Sequence, residues 1–407
     1  MAEVERYVPS VRARWAMLAA AAALSWISVR AAVQNAFLDS DPEVGASLWP
    51  ADGKSLAALA LARVATANGE IDDTTRGLVR SAIDREPMLA DPLALAGIDA
   101  ANAGDRSRAE RLMIAARDRD PRLALARFWL FDHFVRTGQY ANALDEVGPA
   151  IRLQPDAITA VMTVLSAMAD TPAGNRALAT KLASQPFWET SFFQTASKNS
   201  SPDALLSLLS HLPNANRAVD EQRVVFIALV ESGKGARAYE SWRRFLPAAY
   251  RARAGTIYDG NFGGWPGAAP FNWVLMSDDV GTARMVAAGD LPQSTALDVR
   301  YFGSTAGVLA QQYIHATPGS YRLQIAARSR TSGATGGRLN LELRCLPGEA
   351  IVTLPLDPLS PQLRTFAAPV TVPAGCDLLQ VQLAGAPGEL FSEVEAQVTG
   401  VALVPDS

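Results

Sequence analysis

The sequence predicts two architectures in series, an array of helices followed by an antiparallel β-sandwich, behind an apolar N-terminal segment of membrane-like composition. Three observations carry this. The run from Trp15 to Val29 is apolar and bounded by arginine; residues 51–253 repeat small and apolar residues at helical spacing; residues 254–407 alternate apolar and polar residues in short runs broken by Gly and Pro. At 407 residues there is length for two or three domains. A hydrophobic content of 49% with 19% charge excludes long disorder. The 37 basic and 41 acidic residues leave a formal charge of −4, which gives nothing to follow a nucleic-acid backbone. Lys is scarce beside Arg and Ala is abundant, the mark of a GC-rich bacterial genome.

The N-terminal segment comes first. Arg6, Arg12 and Arg14 precede the apolar run, and Asp39, Asp41 and Glu43 follow it. The positive-inside rule keeps residues 1–14 in the cytoplasm and exports the remainder. A helix from Trp15 to Val29 rises about 22 Å, short of the roughly 30 Å hydrocarbon core. The run is therefore either the centre of a cleavable signal or the centre of a single-pass inner-membrane anchor over 15–38, with Arg30 snorkelling. Val29-Arg30-Ala31 is a poor cleavage site, which favours the anchor and leaves a cleaved periplasmic form as the alternative.

The helical region, residues 51–253, matches itself at a period of 34. Gly104 aligns with Gly138, Ala109 with Ala143, Ala116 with Ala150, and Pro121 with Pro155; Ala82 and Pro87 extend the series backwards. Small residues let antiparallel helices approach, Gly makes the turn and Pro ends the second helix. The units LADPLALAGIDAANAGDRSRAERLMIAARDRDP and ALARFWLFDHFVRTGQYANALDEVGPAIRLQP resemble tetratricopeptide repeats. The resemblance implies an α-solenoid whose inner face holds a peptide or another envelope protein, and it places Phe128, Asp132 and Arg136 on that face. Beyond Pro155 the register fades, with Gly174, Ala177, Gly233, Ala238 and Trp242 keeping parts of it. PFWETSFFQ, residues 186–194, is expected to start a new helix with its aromatics inward.

After Arg253 the alternating runs ALDVRYF, VLAQQYIHA, SYRLQIAARSR, RLNLELRC, EAIVTLPL, LRTFAAPVTV, LLQVQLAG and EVEAQVTGVALV predict eight or more strands of a sandwich over 254–407. Pro318-Gly319, Gly336-Gly337, Pro347-Gly348 and Pro387-Gly388 mark turns. DGNF (259–262), PFNW (270–273) and PGSYRL (318–323) resemble phrases of jelly-roll carbohydrate-binding modules. The chain as a whole resembles exported alphaproteobacterial repeat proteins that accompany extracellular-polysaccharide genes. That resemblance implies a non-catalytic periplasmic scaffold in polysaccharide assembly or export. The alternative is a carbohydrate-binding module with the repeats as its stalk, and an enzyme is the third reading. Sugar faces use aromatic rings because pyranose C–H groups stack on them, so Trp265, Trp273, Tyr301 and Tyr313 are the candidate contacts.

Other chemistry has little support. Asp52-Gly53-Lys54-Ser55 ends like a phosphate loop, but Leu48 stands where its first Gly is required. Gly303-Ser304-Thr305-Ala306-Gly307 has its Ser out of place for a nucleophile elbow. His133, His211 and His315 have no partner at ligand spacing. Asp278, Asp279, Glu393 and Glu395 read as solvated charge before they read as a Ca²⁺ site, so no cofactor, metal or catalytic residue is expected. Cys345 and Cys376 are the only cysteines, and in an oxidising compartment one bridge is expected. The resemblance implies the same pairing, with two free thiols as the alternative.

Overall fold

The computed structural model describes residues 11–37, 40–212, 219–291, 294–330, 337–388 and 393–406. Most of the expected cytoplasmic stretch, residues 1–10, lies outside these, as do Leu38 and Asp39 at the end of the expected anchor. The chain forms two compact units that divide between Ile158 and Thr159.

The first unit is helical. It comprises α1 (Val11–Phe37), α2 (Pro42–Leu48), α3 (Gly53–Thr66), α4 (Asp73–Arg85), α5 (Asp91–Asn102), α6 (Arg106–Arg119), α7 (Ala124–Arg136) and α8 (Tyr140–Leu153). Within α1, the 19 residues Trp15–Val33 are long and apolar enough to cross a membrane. From α3 onward the helices form pairs, α3 with α4, α5 with α6 and α7 with α8. Each pair turns on a left-handed glycine: Gly69 at φ +91°, Gly104 at +83° and Gly138 at +71°. Ala82, Ala109, Ala116 and Ala143 have no exposed surface, as close helix approach requires. Carboxylates cap the starts. Asp52 accepts the Ser55 N–H at 2.8 Å, Asp72 that of Thr75 at 2.7 Å, and Asp105 that of Arg108 at 3.0 Å. The phosphate-loop-like Asp52-Gly53-Lys54-Ser55 is thus a helix N-cap. Glu146 of α8 is buried between Arg117 of α6 at 2.7 Å and Arg127 of α7 at 2.6 Å, which ties three helices together.

The second unit opens with helices and ends in the sandwich. α9 (Ile158–Ala169) starts at the division; α10 (Pro172–Leu182), α11 (Glu189–Asn199), α12 (Pro202–His211), α13 (Val219–Glu231), α14 (Gly235–Phe245) and α15 (Ala248–Arg251) follow. The PFW segment starts α11 as expected, with Trp188, Phe192 and Phe193 buried edge-to-face. Phe187 departs from that expectation and is 55% exposed.

Among the described residues, ten strands complete the fold: β1 (Val274–Leu275), β2 (Gly281–Ala287), β3 (Thr295–Tyr301), β4 (Gly307–Ile314), β5 (Gly319–Ser329), β6 (Arg338–Cys345), β7 (Ala350–Pro355), β8 (Arg364–Val372), β9 (Leu379–Ala386) and β10 (Val394–Pro405). They form two antiparallel sheets, ordered β1-β4-β9-β6-β7 and β2-β3-β10-β5-β8. Alternation along each strand supplies the core. Leu339, Leu341, Leu343, Val381 and Leu383 of the first sheet meet Leu297, Val299, Leu323, Ile325 and Val398 of the second in one cluster. Cys345, at the end of β6, is bonded to Cys376, with Cα atoms 5.7 Å apart.

The helix-to-strand change falls inside the second unit, and aromatic rings bridge it. Phe271 lies 6.2 Å from Phe226 of α13 and 5.5 Å from Tyr239 of α14; Trp242 lies 5.0 Å from Tyr258, edge-on. Gly235 sits so close to Leu378 that a Cβ there would come within 2.9 Å of its side chain.

Candidate functional site

The outer face of the first sheet brings polar side chains together from strands that are not consecutive in the chain. β9 lies between β4 and β6, so Tyr313 stands beside Gln380 and Gln380 beside Arg344. One row along, Val274, Gln311, Gln382, Glu342 and Thr353 cross all five strands in register. The alternation that turns Leu339, Leu341 and Leu343 inward turns Asn340, Glu342 and Arg344 outward, and the same holds for Gln380 and Gln382 around Val381.

These groups order one another. Gln382 Nε2 donates to Glu342 Oε2 at 2.7 Å, and Gln380 Nε2 donates to Gln311 Oε1. Gln382 is only 6% exposed. An Arg344 guanidinium nitrogen lies 3.6 Å from Glu342, while Arg344 Nε is shielded from solvent and donates to no acceptor among the described residues. A buried donor without a partner is costly unless something else accepts from it. Glu342 and Arg344 balance each other in charge, so this cluster offers amide, carboxylate, guanidinium and phenol groups; Arg338 stands outward on the same face, two outward positions beyond Glu342 along β6.

Tyr313 also borders a cleft of about 710 Å³, whose other wall is the α13–α14 turn with Glu231, Lys234 and Arg237. Lys234 and Arg237 are each held 2.9 Å from Asp203 of α12. Burial, with the Glu231 carboxylate adding to it, pushes the pKa of the Tyr313 hydroxyl above the usual tyrosine value. That hydroxyl stays a neutral donor.

The other aromatic candidates stand elsewhere. Trp273 is buried in the sandwich core, its Nε1 donating to the Asp259 carbonyl at 3.1 Å. Tyr301 is wholly buried, with its ring against Gly385 and its hydroxyl on the Thr305 carbonyl at 3.0 Å. Both are corrected here from surface contacts to core residues. Their strands alternate, but only the sheet pairing tells which side is inside. Trp265 is half-buried in the 259–267 loop, edge-on to Tyr250 and Tyr258 at 5.8 and 5.3 Å. Asp259 holds that loop: its carboxylate accepts the N–H groups of Gly263 at 2.7 Å and Trp265 at 2.9 Å. Of the four aromatics, Tyr313 alone points outward from a strand of the first sheet.

In the first unit, Phe128, Asp132 and Arg136 do share a face of α7. Phe128 is half-buried, and Asp132 and Arg136 are exposed and paired at 2.8 Å. His133 is buried against Trp129 and meets Glu110 at 3.0 Å; His315 Nδ1 meets the Asp377 carbonyl at 2.6 Å. The outer face of the second sheet carries ion pairs around a cleft of about 580 Å³. Asp298 lies between Arg284 and Arg330 at 3.1 and 2.8 Å, and Arg300 reaches Glu393 at 2.7 Å and Glu395 at 3.8 Å. Glu393 and Glu395 are therefore occupied by a cation of the chain itself.

The outward residues Gln311, Gln380, Gln382, Glu342 and Arg344 were not among the sequence candidates. Their signal was present as Q-V-Q and N-L-E-L-R alternation, but nothing in one strand says which others lie beside it.

No family model matches the chain, and no curated protein matches it. Among solved structures, the chain is similar to a family 4 carbohydrate-binding module at 17% identity, covering 34% of this chain and 88% of that one, with a TM-score of 0.26. It is similar to a family 61 module solved with β-1,4-galactotriose at 12% identity, covering 38% and 99%, with a TM-score of 0.28. A xylan-binding domain of family 22 is similar at 16% identity, covering 37% and 96%, with a TM-score of 0.27.

Proposed function

We propose that this chain is an exported, non-catalytic carbohydrate-binding protein, and that the outer face of the first sheet is its saccharide site. The observation that carries the reading is the juxtaposition of Gln311, Gln380, Gln382, Glu342, Arg344 and Tyr313, with a buried Arg344 donor left open. Amide and carboxylate groups take pairs of vicinal hydroxyls, and a phenol ring offers a flat surface to sugar C–H groups. The balance of Glu342 against Arg344 suits a neutral saccharide. The membrane-length apolar helix and the Cys345–Cys376 bond support a place outside the cytoplasm.

A second reading is favoured by the α7 face, where Asp132 and Arg136 are exposed beside Phe128. On it, the tetratricopeptide-like helix pairs hold an envelope protein, and the chain is a scaffold for polysaccharide assembly or export at the inner membrane. Affinity electrophoresis of the exported chain through gels containing neutral or acidic polysaccharides tests the first reading, and retardation by at least one neutral polymer is expected. No retardation by any polymer, together with co-purification of a partner protein that Asp132→Ala/Arg136→Ala abolishes, would replace it with the second.

A further inference from the structure

The apolar span of α1 is 19 residues, a rise of about 28 Å against a hydrocarbon core of roughly 30 Å. From Trp15 to Val29 its side chains are exposed, Trp15 at 69% and Trp26 at 67%. Arg30 lies inside this span, within a turn of its end. A guanidinium at that depth has to reach the headgroup layer or be covered. The structure covers it from outside α1, with Arg30 Cζ 4.4 Å from the centre of the Trp49 ring.

Trp49 arrives there because α2 packs back on the end of α1, and the described residues of this elbow hold the two together. Ser40 Oγ donates to the Ala36 carbonyl at 2.9 Å, and the Asp41 N–H donates to that of Phe37 at 3.0 Å. The Asp41 carboxylate caps α2 at the Val44 N–H, and Gly45 sits against the Phe37 backbone. The last turns of α1 are thus packed on the first short helix of the folded unit. Cleavage around Val29-Arg30-Ala31 would remove the cation that Trp49 covers.

We propose that the α1–α2 elbow with Trp49 is an interfacial anchor, seated in the headgroup layer on the exported side of the bilayer, and that α1 is retained in the mature protein. Trp prefers that layer because its ring is apolar and its N–H is polar. The inference rests on export of the chain and is independent of sugar binding.

The test uses the full chain in its own membranes, with an epitope tag ahead of Met1. A benzophenone photoprobe replaces Trp49 in one protein and Met88, 78% exposed on the folded unit, in another. The tag should remain on the membrane-bound protein, external protease should digest the chain beyond α2, and irradiation should add lipid mass at position 49 but not at 88. A tagless, soluble exported chain would overturn the anchor and leave export standing. A tagged chain protected from external protease would overturn export itself. Absence of lipid adducts at 49, or equal adducts at both positions, would overturn the seating of the elbow.

Discussion

Asp259→Asn tests whether one buried carboxylate organises the entry to the sandwich. Asp259 is 1% exposed and has a left-handed φ of 49°. Its two oxygens serve different donors, Oδ1 the Gly263 N–H at 2.7 Å and Oδ2 the Trp265 N–H at 2.9 Å. Asparagine accepts with one oxygen only, so the other N–H would face an NH₂ group. One orphaned donor costs about 1–3 kcal/mol. Gly263 is exposed and can recruit water, which places the expected loss in the lower half of that range. For a unit of this size each kcal/mol lowers the melting temperature by about 2–4 °C. Near-ultraviolet circular dichroism is the appropriate assay, because Trp265 and Trp273 both contact Asp259. Asp278→Asn is the control, since that side chain caps Val280 in an exposed turn. A loss for Asp259→Asn no larger than for Asp278→Asn would refute the latch.

Other expected outcomes follow from the same geometry. Ala143→Leu puts a branched side chain where no surface is exposed, and overpacking of α7 against α8 should cost about 1–3 kcal/mol in denaturant titration. A change of a few tenths would contradict the helix-pair packing. Thiol labelling of the denatured, unreduced protein should find no free cysteine; its 31-residue separation makes the bond worth about 3–4 kcal/mol in the chain-entropy model, read as the stability lost on reduction. Because burial raises the Tyr313 pKa, its hydroxyl should remain a donor from about pH 6 to pH 9, well below the usual tyrosine value of about 10. Saccharide affinity should then be level over that range in the wild type, and a fall toward pH 9 that Tyr313→Phe removes would show the hydroxyl ionising.

The parts legible in the sequence were those set by local chemistry. Gly104 and Gly138 announced their turns because the left-handed backbone admits few other residues. The alanines at the same period announced close helix contact, and eight strands followed from alternation between turn residues. β1 and β2 were not among those eight, and β2 shows why. It begins at Gly281, where a Cβ would strike the Arg300 carbonyl at 2.3 Å, and its short GTARMVA run follows an acidic turn. The site was harder to read because it is assembled across β4, β9 and β6, in an order that sequence does not give. The aromatics drew attention by their size, yet Trp273 and Tyr301 serve the core. The less conspicuous glutamines occupy the outer face.

Calorimetric titration of the exported chain with neutral oligosaccharides tests the central claim most directly. The wild type should bind saturably. Gln382→Ala removes an amide and frees Glu342 from its 2.7 Å bond, and should weaken binding by about 1–2 kcal/mol, roughly 5–30-fold in Kd. Thr282→Ala, on the outer face of the second sheet, should bind as the wild type does. Absence of saturable binding by the wild type, or equal affinity in Gln382→Ala, would contradict the assignment of the first sheet's outer face as a saccharide site.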